Sequence, residues 1–137
     1  MDIRKLTGSQ YLAAVEFNGA EPTFTIADAK LVAFELDDNG VKKVERKGVV
    51  SFVEIPREWI INVTNAQLVA AMFGRETKGW FGKKVTLFAA PSKATLAIGG
   101  VAIRVRGSPD IPGPMQATVR LARKKPQEFT LQKTGGK

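Results

Sequence analysis

The chain has 137 residues, of which 44% are apolar, so it can form one packed core and is not a wholly disordered protein. Its 21 Lys and Arg residues exceed its 13 Asp and Glu residues by eight, a net charge that favours a polyanionic partner such as nucleic acid. Because Cys and His are absent, thiol nucleophiles, imidazole bases and zinc sites made from these ligands are excluded, and we expect neither an enzyme nor a bound metal or cofactor.

The first strands are predicted from β-branched and aromatic residues. Thr23 to Leu36 predicts a strand that enters a hairpin at Asp37-Asp38-Asn39-Gly40, where the acidic pair belongs to a tight turn rather than to a magnesium site. The alternation of apolar and polar residues breaks near Asp28, which predicts a bulge or a strong bend. The return strand, Val41 to Ile55, starts with a polar, basic half that we expect to project into solvent.

A third strand and one helix follow. Pro56 interrupts strand pairing, so Trp59 to Val63 is predicted to be a separate short strand. The helix is predicted to end at Gly74. A cap, a capping-box partner and a hydrophobic staple predict its start, and the residues assigned to these roles are Thr64, Gln67 and the pair Val63 and Leu68.

Two further strands complete the predicted domain. They are Lys84 to Ala90 and Val101 to Arg106, joined by a loop from Pro91 to Gly100. In the last strand we expect Val101, Ile103 and Val105 to face the core and Arg104 and Arg106 to face the opposite side.

The chain after this strand changes in composition. Gly107 to Pro114 contains three prolines and two glycines, which predicts the end of the packed domain. We therefore divide the chain into a barrel domain, residues 1–106, and a Pro/Gly linker with a basic tail, residues 107–137. Within the tail, Ala117 to Ala122 alternates enough to form a strand.

The order of elements, three strands, one helix and two strands, predicts an all-β fold with one short helix. It matches the five-stranded barrel of the oligonucleotide-binding (OB) fold, in which the helix joins strands 3 and 4. In that fold the ligand lies across strands 2 and 3, between two loops. Here those loops are Asp37 to Gly48 and Pro91 to Gly100.

Three segments carry a resemblance to a known group of proteins. They are Ile61-Asn62-Val63-Thr64-Asn65-Ala66, Trp80-Phe81-Gly82-Lys83-Lys84-Val85-Thr86-Leu87-Phe88 and Ala102-Ile103-Arg104-Val105-Arg106. Over Tyr11 to Arg106 the sequence resembles small phage and prophage proteins, some of which are similar to single-stranded DNA-binding proteins with this barrel. The resemblance implies single-strand binding in phage replication or recombination. Phe88 stands where such proteins often have Tyr, and the basic tail departs from their acidic ends, so no acidic recruiting tail is implied.

A single-strand binder combines cations for the phosphates with flat rings for unstacked bases. The predicted nucleic-acid-binding residues are the cations Lys42, Lys43, Arg46, Lys47, Lys84, Arg104 and Arg106 and the rings Phe52, Trp59 and Phe88.

Several of these residues also have a purely structural interpretation. Trp59 fits the rim of a groove or the anchor of the third strand, and Phe52 and Phe88 fit either side of a small barrel. The cations of the return strand fit phosphate contacts or a solvated, edge-protecting arm. Trp80, between glycines, is interpreted as a core lid rather than a stacking platform.

The sequence thus predicts a non-enzymatic protein that binds single-stranded DNA or RNA, alone, as a homo-oligomer or with replication proteins. One alternative is a phage structural or assembly protein that docks through the barrel and the basic tail. Another is an auxiliary subunit of a nuclease or recombinase. Residues 1–10 carry no apolar run typical of a signal sequence, and no stretch approaches the length of a membrane span, so we expect a cytoplasmic protein without membrane contact.

Overall fold

The structure is a computed structural model that describes residues 11–92 and 100–135. One helix, α1 (Val63–Phe73), lies between the third and fourth of the strands. The strands are β1 (Thr23–Asp38), β2 (Val41–Phe52), β3 (Glu58–Ile61), β4 (Lys84–Pro91), β5 (Val101–Ser108), β6 (Met115–Val119) and β7 (Gln127–Lys133). Within the described residues, no helix combines the length and the apolar character needed to cross a bilayer.

All of these strands belong to one sheet, in the order β3-β2-β1-β4-β5-β7-β6. Neighbouring strands are antiparallel, except that β5 and β7 run parallel. The predicted class, mostly β with one helix, is confirmed. The predicted five-stranded barrel is not confirmed, because the sheet is open and no pairing of described residues joins β3 to β5.

The open edges of β3 and β5 have other hydrogen-bond partners. The side-chain amide of buried Asn65 donates from Nδ2 to the carbonyl oxygen of Ile103 at 2.8 Å, and its Oδ1 accepts from the backbone N–H of Val105 at 3.2 Å. On β3, the carbonyl oxygen of Glu58 accepts from the backbone N–H of Leu12 at 2.7 Å. Since buried backbone groups need partners, these bonds satisfy edges that a closing strand pair would otherwise satisfy.

The long hairpin of β1 and β2 agrees with its prediction. Asn39 and Gly40 have φ values of 54° and 81°, as a tight two-residue hairpin turn requires, and the Asp37 carboxylate accepts from the backbone N–H of Gly40 at 3.1 Å. The register shifts between Ile26 and Asp28, which confirms the bulge. Residues 41–46 are exposed, which confirms that the first half of the return strand projects into solvent.

The helix ends at Gly74 as predicted, but its start differs. Asn62, not Thr64, is the N-cap, because its side chain accepts from the backbone N–H of Asn65 at 2.9 Å. Gln67 is not a capping-box partner: its side chain exchanges two hydrogen bonds with the backbone of Arg120, just after β6. The staple is also wrong, because Val63 is exposed.

The core lies between α1 and the inner face of the sheet. Leu68 and Val69 of the helix belong to the same apolar cluster as Val85 and Leu87 of β4, and all four are fully buried. Trp80 is also buried, and its indole N–H donates to the carbonyl oxygen of Gly74 at 2.8 Å, which confirms its interpretation as a core residue.

The segment after Gly107 differs from the linker and tail that we expected. It adds β6 and β7 to the sheet, and it contributes buried apolar residues to the same core, namely Ile111, Ala117, Val119 and Leu131. Their alternation with polar residues along β6 and β7 gives each strand one apolar face, and this face is buried. The Pro-rich stretch is held by the Lys133 ammonium, which donates to the carbonyl oxygens of Pro109 and Ile111 at 3.0 and 2.9 Å.

Candidate nucleic-acid interface

Two of the predicted stacking rings lie in the core. Trp59 is 1% exposed and Phe52 is 6% exposed, and their ring centroids are 6.2 Å apart in a stacked arrangement. The strand register explains this, because Trp59 pairs with buried Val50 and Phe52 pairs with buried Ile26, which puts both rings on the inner face of the sheet. Neither ring can stack on a base in this structure, so the binding role assigned to them is corrected: both anchor the core.

The hairpin register separates the four cations of β2. Because side chains alternate between the two faces of a strand, Lys42 and Arg46 lie on one face and Lys43 and Lys47 on the other. Lys42 is directly opposite Asp37, an acidic residue on β1. The Lys47 ammonium lies 5.8 Å from the ring centroid of Phe34. The hairpin therefore does not present these cations as a single track.

The cations of β4 and β5 are placed differently. Phe88 lies directly opposite Arg104 on the neighbouring strand. The Arg106 guanidinium lies over the Phe88 ring at 3.7 Å, and the Arg104 guanidinium lies 5.6 Å from the ring centroid of Phe129, on β7. These four half-buried residues form one group, which we call the arginine–aromatic cluster.

Lys84, the remaining predicted cation, lies outside the arginine–aromatic cluster. It pairs with Thr25 at the start of β1, and its charge acts on the carboxylate of Glu54. Burial alone raises the pKa of Glu54, but hydrogen bonds from Thr25, at 2.6 Å from both its hydroxyl and its backbone N–H, outweigh burial and leave this pKa below its ordinary value. Lys84 thus belongs to a local network with an acid.

Within the cluster, Arg106 has an acidic partner. Its Nε and Nη2 donate to the two carboxylate oxygens of Glu21 at 3.1 and 3.0 Å. This two-point contact holds the guanidinium plane against Phe88 and offsets its charge. Because its charge is offset by Glu21, Arg106 would contribute to a binding site mainly as a flat, oriented surface and less as a positive charge.

Arg104 has a different environment. Its Nη1 atom is buried and has no hydrogen-bond partner among the described residues. Burial lowers the pKa of Arg104, yet a guanidinium stays charged at neutral pH. A buried donor without a partner is costly, so an oxygen from a ligand that reached this atom would be bound favourably.

A group of basic residues precedes β7, the strand that carries Phe129. The connection between β6 and β7 exposes four cations, Arg120, Arg123, Lys124 and Lys125, which we call the basic turn. It leads directly into β7, where Phe129 is the third residue. From the sequence, these cations were predicted to lie in a tail, and Phe129 was not among the predicted site residues, although the basic run is recognisable in the sequence.

The second loop predicted to bind a ligand, Pro91 to Gly100, cannot be placed, because residues 93–99 lie outside the described part of the chain.

The sequence matches no protein-family model, and neither a curated protein nor a solved structure is significantly similar to it.

Proposed function

We propose that the protein binds single-stranded nucleic acid at the arginine–aromatic cluster and the basic turn. The observation that supports this most is Arg104, a cation with a buried donor that has no partner among the described residues and that lies beside the Phe129 ring. Phosphate and base oxygens are the acceptors that such a guanidinium binds.

The proposed binding mode follows from the chemistry of the arginine–aromatic cluster and of the basic turn. The Phe88 ring and the Arg106 plane, which Glu21 holds in place, offer flat surfaces for unstacked bases, each stacked base contributing about 1–3 kcal/mol. Phe129 shares the buried face of β7, packs against the core and supports Arg104. The basic turn supplies phosphate contacts, whose contribution falls with salt. Since the contacts are to base planes and phosphates, sequence preference is weak.

The strand order supports a finer description of the fold. We propose that the first five strands are an OB-like barrel opened between β3 and β5, because closing a sheet of order β3-β2-β1-β4-β5 requires that pair. The helix lies between the third and fourth strands, as in that barrel. The resemblance to phage single-strand binders favours DNA as the ligand and replication or recombination as the setting.

The alternative, an assembly protein that docks through its basic tail, has less support. The described residues assigned to that tail, up to residue 135, include two strands of the sheet and four core side chains, so little of this segment is free to reach another subunit.

The proposal is tested by fluorescence anisotropy with end-labelled oligo-dT and with a duplex of the same length. A label on the DNA is needed because both tryptophans are buried and report poorly on surface binding. We expect tighter binding of the single strand, and about tenfold weaker binding for Arg104→Gln.

Lys30→Gln is the matched control, because it also removes one positive charge but lies on β1, outside the arginine–aromatic cluster. It should change affinity much less than Arg104→Gln. Absence of binding at low salt, equal affinity for the duplex, or equal effects of the two variants would refute the proposal.

A further inference from the structure

The outer part of the β1–β2 hairpin, which we call the arm, is a two-stranded ribbon. From Leu31 and Gly48 to the turn, its strands pair with each other, and the only described third strand that reaches it is β3, at Gly48. One face of the arm is partly covered, because the rings of Tyr11 and Phe34 are 5.9 Å apart there and Lys47 lies over Phe34.

The opposite face of the arm, which we call the open face, lies in solvent. Leu31 is 71% exposed and Val44 is 66% exposed. Directly paired residues share a face, so the strand register defines its members as Leu31, Ala33, Glu35 and Asp37 on β1 and Lys42, Val44, Arg46 and Gly48 on β2.

An isolated two-stranded ribbon is at best marginally stable in water. The exposed apolar side chains of Leu31 at its base and Val44 near its middle make solvent exposure more unfavourable still. The open face is therefore a surface that a partner would stabilise, and its charges indicate which partner.

The charges of the open face are self-complementary. Its two acids, Glu35 and Asp37, are both on β1, and its two bases, Lys42 and Arg46, are both on β2. We propose that the open face binds the open face of a second copy of this chain, about a two-fold axis parallel to the arm.

With this axis, each residue of the open face lies over a residue of the second copy. That residue is the one equivalent to its own cross-strand neighbour. Asp37 then faces Lys42 of the partner copy, and Glu35 is diagonal to Arg46 of the partner copy. Glu35 directly faces Val44 in this arrangement; a two-fold axis across the arm would instead put the acidic strand β1 on β1 and the basic strand β2 on β2, so that no acid would lie over the basic strand.

The base of the arm also fits this packing. Leu31 would lie over Gly48 of the partner copy, where the side chain of Ile61 covers the glycine and offers an apolar contact. Gly48 borders a groove of about 390 Å³ whose other apolar walls include Ile61, Ala66 and Trp80. The groove can receive the leucine side chain.

The size of the contact predicts its strength. A ribbon of this length covers on the order of 300 Å² per copy, less than the roughly 800 Å² per partner of a standard interface. We therefore expect a reversible dimer whose population depends on concentration.

Sedimentation velocity over a range of protein concentrations tests the proposal. Val44→Asp should raise the dimer dissociation constant about tenfold or more, because it buries a new charge at the interface. Val53→Asp is the matched control, since Val53 is 68% exposed but lies after β2, away from the arm, and it should leave the dimer unchanged.

A charge exchange provides a second test that does not introduce a buried acid. Glu35→Lys and Arg46→Glu should each weaken the dimer, and the double variant should restore it, because the diagonal pairs return with reversed signs. A wild-type chain that stays monomeric up to about 100 µM, or a double variant no better than the single ones, would overturn the proposal. These measurements use no nucleic acid, so they are independent of the proposed function.

Discussion

The side chain of Asn65 bonds to the backbone on both sides of Arg104. It donates to the carbonyl oxygen of Ile103 at 2.8 Å and accepts from the N–H of Val105 at 3.2 Å. A single helix residue thereby takes the place of a neighbouring strand along this part of β5. It also fixes the backbone that carries the central cation of the proposed interface.

Replacing Asn65 should therefore be strongly destabilising. In Asn65→Leu both backbone groups lose their partners in a buried site, and each such group costs about 1–3 kcal/mol. We expect the free energy of unfolding, measured by urea denaturation, to fall by at least about 2 kcal/mol. Asn62→Ala, which removes only the helix cap, should cost about 1 kcal/mol. Equal losses for the two variants would contradict this role of Asn65.

Replacing Arg104 should have opposite effects on the stability of the fold and on the affinity for nucleic acid. Arg104→Met keeps much of the side-chain volume and removes the buried donor that has no partner among the described residues. We expect the free energy of unfolding to rise by about 1 kcal/mol while affinity for oligo-dT falls. A variant that is less stable than the wild type would show that the guanidinium has a structural partner and would weaken the case for a ligand there.

The contact between β5 and β7 can be tested at Gly107. A Cβ atom at this position would collide with the carbonyl oxygen of Gln132, which belongs to the backbone and cannot move aside easily. Gly107→Ala should cost about 3 kcal/mol of unfolding free energy and weaken DNA binding, because it displaces the strand that carries Phe129. Gly113→Ala is the control, since a Cβ there meets no atom within 4 Å.

Much of the local structure could be predicted from short segments. The turn at Asn39 and Gly40 and the helix end at Gly74 depend on residues that accept positive φ, and such residues are recognisable in the sequence. The strand periodicity of Val101 to Arg106 likewise indicated the outward direction of Arg104, which the structure places opposite Phe88.

The site itself depends on contacts between distant segments, which periodicity does not encode. Whether Phe52 and Trp59 face inward is decided by their pairing with Ile26 and Val50. Phe129 reaches Arg104 only because β7 adds to the edge of β5, and the Pro-rich segment before it suggested instead that the packed domain had ended. The cap was displaced by two residues because two asparagines and a threonine compete at the start of α1.

Stability should depend on pH through Glu54. Its pKa is lower in the folded chain than the ordinary value of 4.5, so the ionised carboxylate favours folding. This contribution is fully present above the unfolded pKa and is lost as the pH falls through the lower, folded pKa. Denaturation of the wild type and of Glu54→Gln between pH 7 and pH 3 should give unfolding free energies that converge at the acidic end. Parallel curves would contradict the assignment.

In the proposed complex, Arg104 and the basic turn contact the phosphates of a single strand. This is tested by the slope of the logarithm of the association constant (1/Kd) for oligo-dT against log salt concentration, measured for the wild type, Arg104→Gln and the control Lys30→Gln. Five phosphate contacts predict that log affinity falls with a slope of roughly −3.5, and losing one contact makes the slope shallower by about 0.7. We predict this change for Arg104→Gln and none for Lys30→Gln. Affinity that does not depend on salt, or identical slopes for all three proteins, would contradict the account.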